Sequence, residues 1–443
     1  MTDDEMYVKQ LNHYSVGEFK QSYILLKILC DKYNKVKINR HNASFILQIY
    51  CAYEVSVSTL GIDNIYTDKL ILDHKSISPE LRNYINKIYC MFLLKQKEYK
   101  KANEYIKWLQ PVNGPGINPD NISYFNKGDK GKILLIYTSG GIGDIIMYSR
   151  FLRKICETNS NNSISFLIDD KLVWLFMPFI TMNQEEIVNQ KPINNLRIIP
   201  HSVRDRFQIK YDYHTNITLL MHHLDITYET LYIDYYLENI VGNSIGNLIG
   251  NSIGNSIGDS IGDTIDQLMD NVSIQVSNLN EESLTIHSKK TIIINWSGNK
   301  ENIMERYNRS IGLDKLIPLF TKSSLDINWI SINKNVSKKE TRFLEKYNIK
   351  NYGPIIDCGM DAFKDTVSLL KKVDLVITTD TSLVHLAGTM NIPCWCLLTI
   401  GCDWRWTNGN NLKWYPNVRI FKQNTLSNWD NVVSDLLEAI PLI

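Results

Sequence analysis

The first 110 residues differ from the rest of the chain in how apolar and polar positions alternate. Through residues 1–110 apolar side chains recur at helical spacing, and a single proline, Pro79, is expected to interrupt them. Two stretches, GEFKQSYILLKIL at residues 17–29 and KEYKKANEYIKWL at residues 97–109, align without gaps. Sequence similarity of this kind arises when similar helix pairs stack on one another in a helical repeat. The pattern therefore predicts an all-α domain over residues 1–110.

Beyond residue 131 the chain alternates short buried-strand runs with helical segments. Residues 111–131, dense in Pro, Gly, Asn and Asp, are predicted to be a linker. KILLIY, SISFLI and LRIIPH predict a parallel α/β domain over residues 132–238. TIIINW, INWISI, DLVITT, CWCLL and VRIFKQ predict a second one over residues 289–443. Two Rossmann-like units in succession would enclose a cleft.

A four-residue repeat of the form NSIG separates the two predicted α/β units. It runs over residues 241–265, within a segment of low sequence complexity at residues 239–288. Isoleucine at every fourth position imitates a helix face, but each glycine costs about 1 kcal/mol in a helix relative to alanine. We therefore predict a looped-out insertion with no function of its own.

Composition narrows the possible functions. Lys+Arg number 48 and Asp+Glu 47, a net charge of +1, so no global field points to nucleic acid or to an anionic membrane. The eight cysteines lie in apolar surroundings without a C-x-x-C pair, which favours reduced thiols over disulfides or zinc. With no signal-like N-terminus and no run of eighteen apolar residues, a soluble, cytoplasmic protein is expected.

Two polar turns follow predicted strands. SGGIGDII contains Gly140, Gly141 and Gly143, which let a ligand approach the backbone, and then Asp144 at a helix start. It lacks the third glycine of a dinucleotide fingerprint and the lysine of a P-loop. The structural alternative for Asp144 is a carboxylate that complements the helix dipole.

The turn DTSLVH follows the apolar run of DLVITT. Asp380, Thr381, Ser382 and His385 would lie at the carboxyl edge of a parallel sheet, where a helix N-terminus favours an anion. Ser382 is predicted to cap the helix, whose apolar face would hold Leu383, Leu386, Ala387 and Met390. The alternative is an ordinary capped turn with a histidine on the helix surface.

Cations follow two other strands of the second unit. Arg306 and Arg309, with Asn308 and Ser310, form a polar loop after TIIINWSG. Lys334 follows INWISIN, next to Ser331 and Asn333. Arginine and lysine can neutralise phosphate, and no D-x-D triplet for a metal occurs, so we predict a phosphorylated ligand bound without a metal. A solvated surface loop is the alternative for each motif alone.

Taken in order, these motifs resemble the tetratricopeptide-linked GT-B glycosyltransferases, relatives of the heptosyltransferase-like glycosyltransferase family 9 and, distantly, of the O-GlcNAc transferases. The resemblance covers roughly residues 132–437 apart from the repeat insertion. It is carried by GGIGDIIMYSRFL, YDYHTNITLLMHHL, WSGN, RSI, DCGMDAFKDTVSLLKKVDLVITTDTSLVHLAG, DWRW and WYPNVRIFKQ. Asn333 departs from it, since the family often carries glutamine there.

The resemblance implies a fold and an activity. The fold would be GT-B, two facing Rossmann-like domains behind an all-α, TPR-like domain. The activity would be metal-independent, inverting transfer of a hexosyl or heptosyl group from a nucleotide-sugar donor to a glycan or protein acceptor, with no cofactor. Asp144 would be the base, and Lys334, Asp380, Thr381, Ser382, His385 and Arg309 would surround the donor diphosphate.

Two other functions stay open on the sequence. One is a catalytically inactive scaffold that binds a protein partner through the helical N-terminus. Another is a sugar-nucleotide epimerase, which shares the fold but leaves DWRW and WYP unexplained. Retention of Asp144 together with the full D-T-S-x-x-H turn favours the transferase.

Overall fold

A computed structural model describes residues 1–15, 18–36, 43–60, 78–106, 123–179, 194–206, 209–232, 234–238, 289–300, 309–322, 327–406 and 412–442. The predicted insertion at residues 239–288, most of the predicted linker, and Arg306 and Asn308 lie outside the described residues.

Helices make up the described part of the N-terminal region, and each packs on the next. They are α1 (Asp3–Ser15), α2 (Phe19–Tyr33), α3 (Ala43–Leu60), α4 (Pro79–Lys95) and α5 (Tyr99–Ala102). The prediction that Pro79 interrupts a helix is wrong. Pro79 stands at the start of α4, where no intrahelical donor is needed, and the Ser78 side chain accepts a hydrogen bond from the amide of Leu81.

The two stretches that echo each other begin alike, but their helices differ in length. Glu18 precedes α2 and Glu98 precedes α5 with similar backbone angles, and each is followed by a buried aromatic residue, Phe19 or Tyr99. From there α2 continues for 15 residues, whereas α5 stops after 4. The echo therefore marks two similar helix starts, and the likeness to tetratricopeptide units stays a prediction.

The first α/β unit is a four-stranded, all-parallel sheet in the order β3-β2-β1-β4. Its strands are β1 (Ile133–Tyr137), β2 (Ser163–Ile168), β3 (Leu196–Pro200) and β4 (Tyr213–Asn216). Its helices are α6 (Ile142–Ser149), α7 (Phe151–Thr158), α8 (Val173–Phe176), α9 (His201–Arg206) and α10 (Leu220–His223). The helical segment that begins within SGGIGD consists of two helices, α6 and α7, which meet at Arg150.

The second unit is a six-stranded, all-parallel sheet in the order β10-β9-β8-β5-β6-β7. Its strands are β5 (Lys290–Asn295), β6 (Ile327–Ser331), β7 (Lys350–Asn351), β8 (Leu375–Thr379), β9 (Cys394–Leu398) and β10 (Val418–Lys422). Its helices are α11 (Leu313–Lys322), α12 (Lys338–Lys346), α13 (Lys364–Leu370), α14 (Ser382–Thr389) and α15 (Asp430–Ala439). The prediction of two parallel α/β units is confirmed.

Both sheets reverse their strand order beside their first strand, between β1 and β4 and between β5 and β8. At such a point neighbouring connections leave the carboxyl edge in opposite directions and open a crevice, where ligands of parallel α/β proteins bind. Asp144 follows β1, and the DTSLVH turn follows β8. Strand order therefore directs both predicted motifs to crevices.

One hydrophobic core joins all three parts. It contains Leu94 from α4, Phe151 from α7 and Leu383 from α14, together with Trp404 and Trp414 of the second unit. The indole N–H of Trp414 donates to the Tyr99 hydroxyl at 3.1 Å, and the Tyr99 ring meets Trp404 edge to face. The helical region is thus packed against the second α/β unit near the DWRW turn.

Helix α14 differs in two respects from its prediction. Its cap is Thr381, not Ser382, because the Thr381 backbone is extended and its hydroxyl accepts a hydrogen bond from the amide of Leu383. His385 is not on the helix surface, since it is only 2% exposed. Helix α6 of the first unit packs on the side of α14 that would face solvent if the second unit stood alone.

Candidate active site

The two switch points open onto a single cleft of about 670 Å³. The ten residues that the resemblance and the glycine turn single out all line it: Gly140, Gly141, Gly143, Asp144, Arg309, Lys334, Asp380, Thr381, Ser382 and His385. The first sheet contributes the glycine turn and Asp144, and the second contributes the others. Residues from two units, far apart in sequence, are thereby brought to one site.

The glycine turn allows the two units to come close. Gly140 has a φ of +97°, a conformation that favours glycine. A Cβ on Gly143 would lie 2.6 Å from Cδ2 of His385, which is closer than real side chains approach. Gly143 is therefore required for α6 to pack on α14, and this packing brings the N-termini of both helices to the cleft.

Asp144 lies in the first turn of α6 and is paired across the cleft. Its Oδ1 lies 2.7 Å from Nη2 of Arg405, which belongs to the second unit. The Asp144 side chain is 33% exposed, so a ligand in the cleft can reach it. Asp144 is therefore held in position by the second unit and accessible from the cleft.

His385 contacts two groups, and they determine its tautomer. Arg405 can only donate, so its Nη1, at 3.2 Å, makes Nε2 of His385 an acceptor. The proton is then on Nδ1, which donates to the Tyr415 hydroxyl at 3.0 Å. Burial, with Arg405 and Arg150 nearby, holds the pKa of His385 well below its ordinary value. His385 is thus a neutral group that orients Arg405.

Carboxylates surround the Arg405 guanidinium. Its Nε lies 3.1 Å from Oδ1 of Asp403, as an ion pair without hydrogen-bond geometry. Burial opposes its charge, but Asp403, Asp144 and Asp380 outweigh burial and raise the pKa of Arg405 further. Burial also raises the pKa of Asp380 to about 6, against the effect of Arg405. Asp380 therefore changes charge near neutral pH.

Two further cations face the cleft from the second unit. The Nζ of Lys334 lies 3.4 Å from the carbonyl oxygens of Ile356 and Asp357, and the lysine is exposed. The Arg309 guanidinium lies against Gly298, where any Cβ would collide with it. Both cations are therefore placed at the carboxyl edge of the second sheet, as their motifs predict.

Asn333 has a supporting role that the sequence does not reveal. Its Nδ2 donates to the Ser297 hydroxyl at 2.9 Å, and its Oδ1 accepts from the amide of Trp296 at 3.3 Å. These bonds tie the segment that carries Lys334 to the end of β5. The amide thus fixes the wall of the cleft.

Sequence reasoning missed Arg405, Asp403 and Tyr415 as site residues. DWRW and WYP carried the resemblance, yet no position within them was given a role. An arginine between two tryptophans was the available signal, because a buried charge needs a partner. The partner, Asp144, is 261 positions away, so only the fold identifies it.

Metal-ligand clusters and membrane-spanning helices are both absent from the described residues. In the described part of the chain, no group of three or more His, Cys, Asp or Glu side chains is arranged to hold a metal ion. No helix among the same residues has the length and apolarity to cross a membrane. Seven of the eight cysteines are buried, Cys358 is exposed, and all are free.

Comparison with known proteins found matches among solved structures, at low sequence identity. No protein-family model matches, and no curated protein matches. E. coli ADP-heptose lipopolysaccharide heptosyltransferase II is 12% identical over 70% of this chain and 98% of its own, with a TM-score of 0.36. A family 9 glycosyltransferase from Veillonella parvula is 10% identical over 71% and 97%, with a TM-score of 0.39.

A third structure, an E. coli heptosyltransferase with ADP-2-deoxy-2-fluoro heptose, is 12% identical over 70% of this chain and 99% of its own, with a TM-score of 0.34. These similarities concern the fold alone. The residues of the cleft carry the functional conclusion.

Proposed function

We propose that this chain is a glycosyltransferase that moves a sugar from a nucleotide-sugar donor to a hydroxyl acceptor with inversion at the anomeric carbon. One observation carries the proposal. A carboxylate of the first unit, Asp144, faces the N-terminus of α14 and the cations of the second unit across one cleft. A displacement with an anionic leaving group needs a proton acceptor on one side and positive charge on the other.

The donor binds to the second unit in this proposal. Lys334, Arg309 and the amides at the start of α14 supply positive charge and donors for a diphosphate. Because these groups offset the charge that develops on the leaving diphosphate, we propose that transfer proceeds without a metal ion.

The acceptor approaches from the first unit. Its hydroxyl gives its proton to the Asp144 carboxylate, and its oxygen forms a bond to the anomeric carbon of the sugar. The bond from that carbon to the diphosphate oxygen breaks, and the electron pair leaves with the nucleoside diphosphate. Gly140 and Gly141, without side chains in front of the Asp144 carboxylate, leave space for the acceptor.

The proposal is tested by measuring release of nucleoside diphosphate from UDP-, GDP- and ADP-sugars, with and without a panel of glycan and peptide acceptors. We expect one donor class to be turned over, and turnover to rise with a suitable acceptor. Donor binding without turnover, for every donor and acceptor, would instead favour a scaffold. Conversion of the donor into an epimeric sugar nucleotide would identify an epimerase.

Replacing Lys334 by alanine is expected to weaken donor binding by about 1 to 3 kcal/mol, or roughly 5- to 150-fold in Kd, the scale of a hydrogen bond to a charged group. Calorimetric titration with the donor measures it. Lys338→Ala is the matched control, since Lys338 is also exposed but lies in the first turn of α12, outside the cleft lining. Equal donor affinity of the two variants would refute a role of Lys334 in donor binding.

Donor binding should strengthen as the pH falls through about 6. The pKa of Asp380 is raised to about 6, so below that pH the group is neutral and no longer repels a diphosphate. The diphosphate of a nucleotide sugar is esterified at both ends and does not titrate there. Between about pH 7.5 and about pH 5.5 we expect roughly three- to tenfold tighter binding. Asp380→Asn should remove this dependence, and its persistence in that variant would contradict the assignment.

A further inference from the structure

We infer that Arg405 is a positioning residue for the proposed transfer, and that Tyr415 and His385 orient it against Asp144. The inference rests on the proposed function, because it assigns a task to Arg405 only if Asp144 accepts the proton of the acceptor hydroxyl.

A continuous series of hydrogen bonds supports the assignment. It runs from the Tyr415 hydroxyl to Nδ1 of His385 at 3.0 Å, from Nε2 of His385 to Nη1 of Arg405 at 3.2 Å, and from Nη2 of Arg405 to Oδ1 of Asp144 at 2.7 Å. The last bond crosses from the second unit to the first. Asp144 is thus held by a group of the opposite unit.

The series has a fixed direction. Arg405 donates at both ends of its fork, to His385 and to Asp144, and it contributes no acceptor. The neutral His385 accepts from Arg405 at Nε2 and donates its Nδ1 proton to Tyr415. Removing the Tyr415 hydroxyl would leave that proton without its acceptor and loosen the orientation of the imidazole.

The surrounding packing holds the series in place. Tyr415 lies against Gly388 of α14 so closely that any Cβ there would collide with its ring. The Arg150 guanidinium covers the Tyr415 ring, with Cζ 4.7 Å from its centroid. The Arg405 side chain is 11% exposed, which restricts it to few conformations. Such restriction is what a group that orients a base requires.

The geometry also separates Arg405 from Lys334 and Arg309. The guanidinium of Arg405 is surrounded by Asp144, Asp403 and Asp380, so much of its charge is already neutralised by the protein. Lys334, by contrast, contacts carbonyl oxygens. We therefore assign Lys334 to the donor and Arg405 to Asp144.

A double-mutant cycle between Arg405 and Asp144 tests the inference. Arg405→Met should lower kcat by roughly 10- to 100-fold with the donor KM changed less than about threefold, since the donor keeps its own cations. In an Asp144→Asn background the same change should lower kcat by less than about twofold, because Arg405 then has no base to orient. Arg405→Lys should recover part of the lost kcat.

Tyr415→Phe provides a milder variant, in which the ring stays on Gly388 and only the hydroxyl is lost. We expect kcat to fall by roughly three- to tenfold in the wild-type background. In the Asp144→Asn background the same change should have little further effect on kcat. Arg419→Met is the matched control. Like Arg405, which lies over the Trp404 ring, Arg419 lies over aromatic rings, but it is exposed on β10 and does not line the cleft.

Three results would overturn the inference. Arg405→Met with wild-type kcat would remove the task of Arg405. If Arg405→Met lowered kcat as much in the Asp144→Asn background as in the wild type, and the double variant unfolded at the wild-type temperature, Arg405 would not act through Asp144. A large rise in donor KM would assign Arg405 to the donor. Each leaves the proposed transfer intact, whereas absence of transfer by the wild type defeats the proposed function itself.

Discussion

Asp144→Asn should reduce turnover by about 10² to 10⁴-fold while donor affinity barely changes. The amide has nearly the shape of the carboxylate but cannot accept the acceptor's proton. The groups proposed to bind the donor belong to the second unit and remain in place. Steady-state transfer rates and donor titrations of the purified variant measure the two quantities separately.

Asp212→Asn is the matched control for this experiment. The Asp212 side chain is 36% exposed, and its Oδ1 forms an ion pair with Lys132 at 3.0 Å, so it resembles Asp144 in exposure and charge pairing. Asp212 directly precedes β4 and accepts from the amide of Ile133 at the start of β1, at the opposite edge of the sheet. Wild-type transfer by Asp144→Asn would exclude Asp144 as the base. In that case its carboxylate only stabilises α6, by about 0.3 to 1 kcal/mol.

Replacing Arg150 by leucine is expected to destabilise the fold by about 2 to 4 kcal/mol. Arg150 is 1% exposed, and its guanidinium donates to the carbonyls of Met147 and Trp414 at 3.0 and 2.8 Å. Its Cζ also lies 5.1 Å from the Trp414 ring centroid. Leucine would remove both hydrogen bonds and loosen the contact between the units. The midpoint of urea unfolding measures this loss.

Arg419→Leu is the reference for Arg150→Leu. Its Cζ lies 4.7 Å from the Phe421 ring and 5.6 Å from the Trp395 ring, so the same ring contacts are lost from an exposed position. We expect the surface change to cost about 0.5 to 1 kcal/mol. Equal midpoints for the two variants would mean that the buried contacts of Arg150 do not stabilise the structure.

The sequence predicted eight of the ten strands in the described part of the chain, missing β4 and β7, and it predicted the helix ends less well. Buried parallel strands appear as continuous apolar runs, so DLVITT and CWCLL locate β8 and β9 directly. A helix end depends on one residue's backbone angles, which is why Thr381 rather than Ser382 caps α14. Pro79 was misjudged for a similar reason, since proline suits the first turn of a helix as well as a break.

The candidate site could be predicted only where its residues follow strands. Asp144, Lys334 and the DTSLVH turn leave carboxyl edges of parallel sheets, and chain order alone directs them to the cleft. Arg405 follows no such rule, because it occupies a short turn between tryptophans, Trp404–Trp406. Its place depends on how α6 packs on α14, a contact between residues that no local pattern relates.

The hydrogen bond between Trp414 and Tyr99 limits which substitutions this chain can accept in evolution. Tyr99 belongs to the helical region, and its ring also meets Trp404, the neighbour of Arg405. A chimaera with helices from another protein would leave the buried indole N–H of Trp414 without an acceptor and open a gap behind Trp404. The helices are therefore not an exchangeable module, and we expect substitutions at Tyr99, Trp404 and Trp414 to arise together.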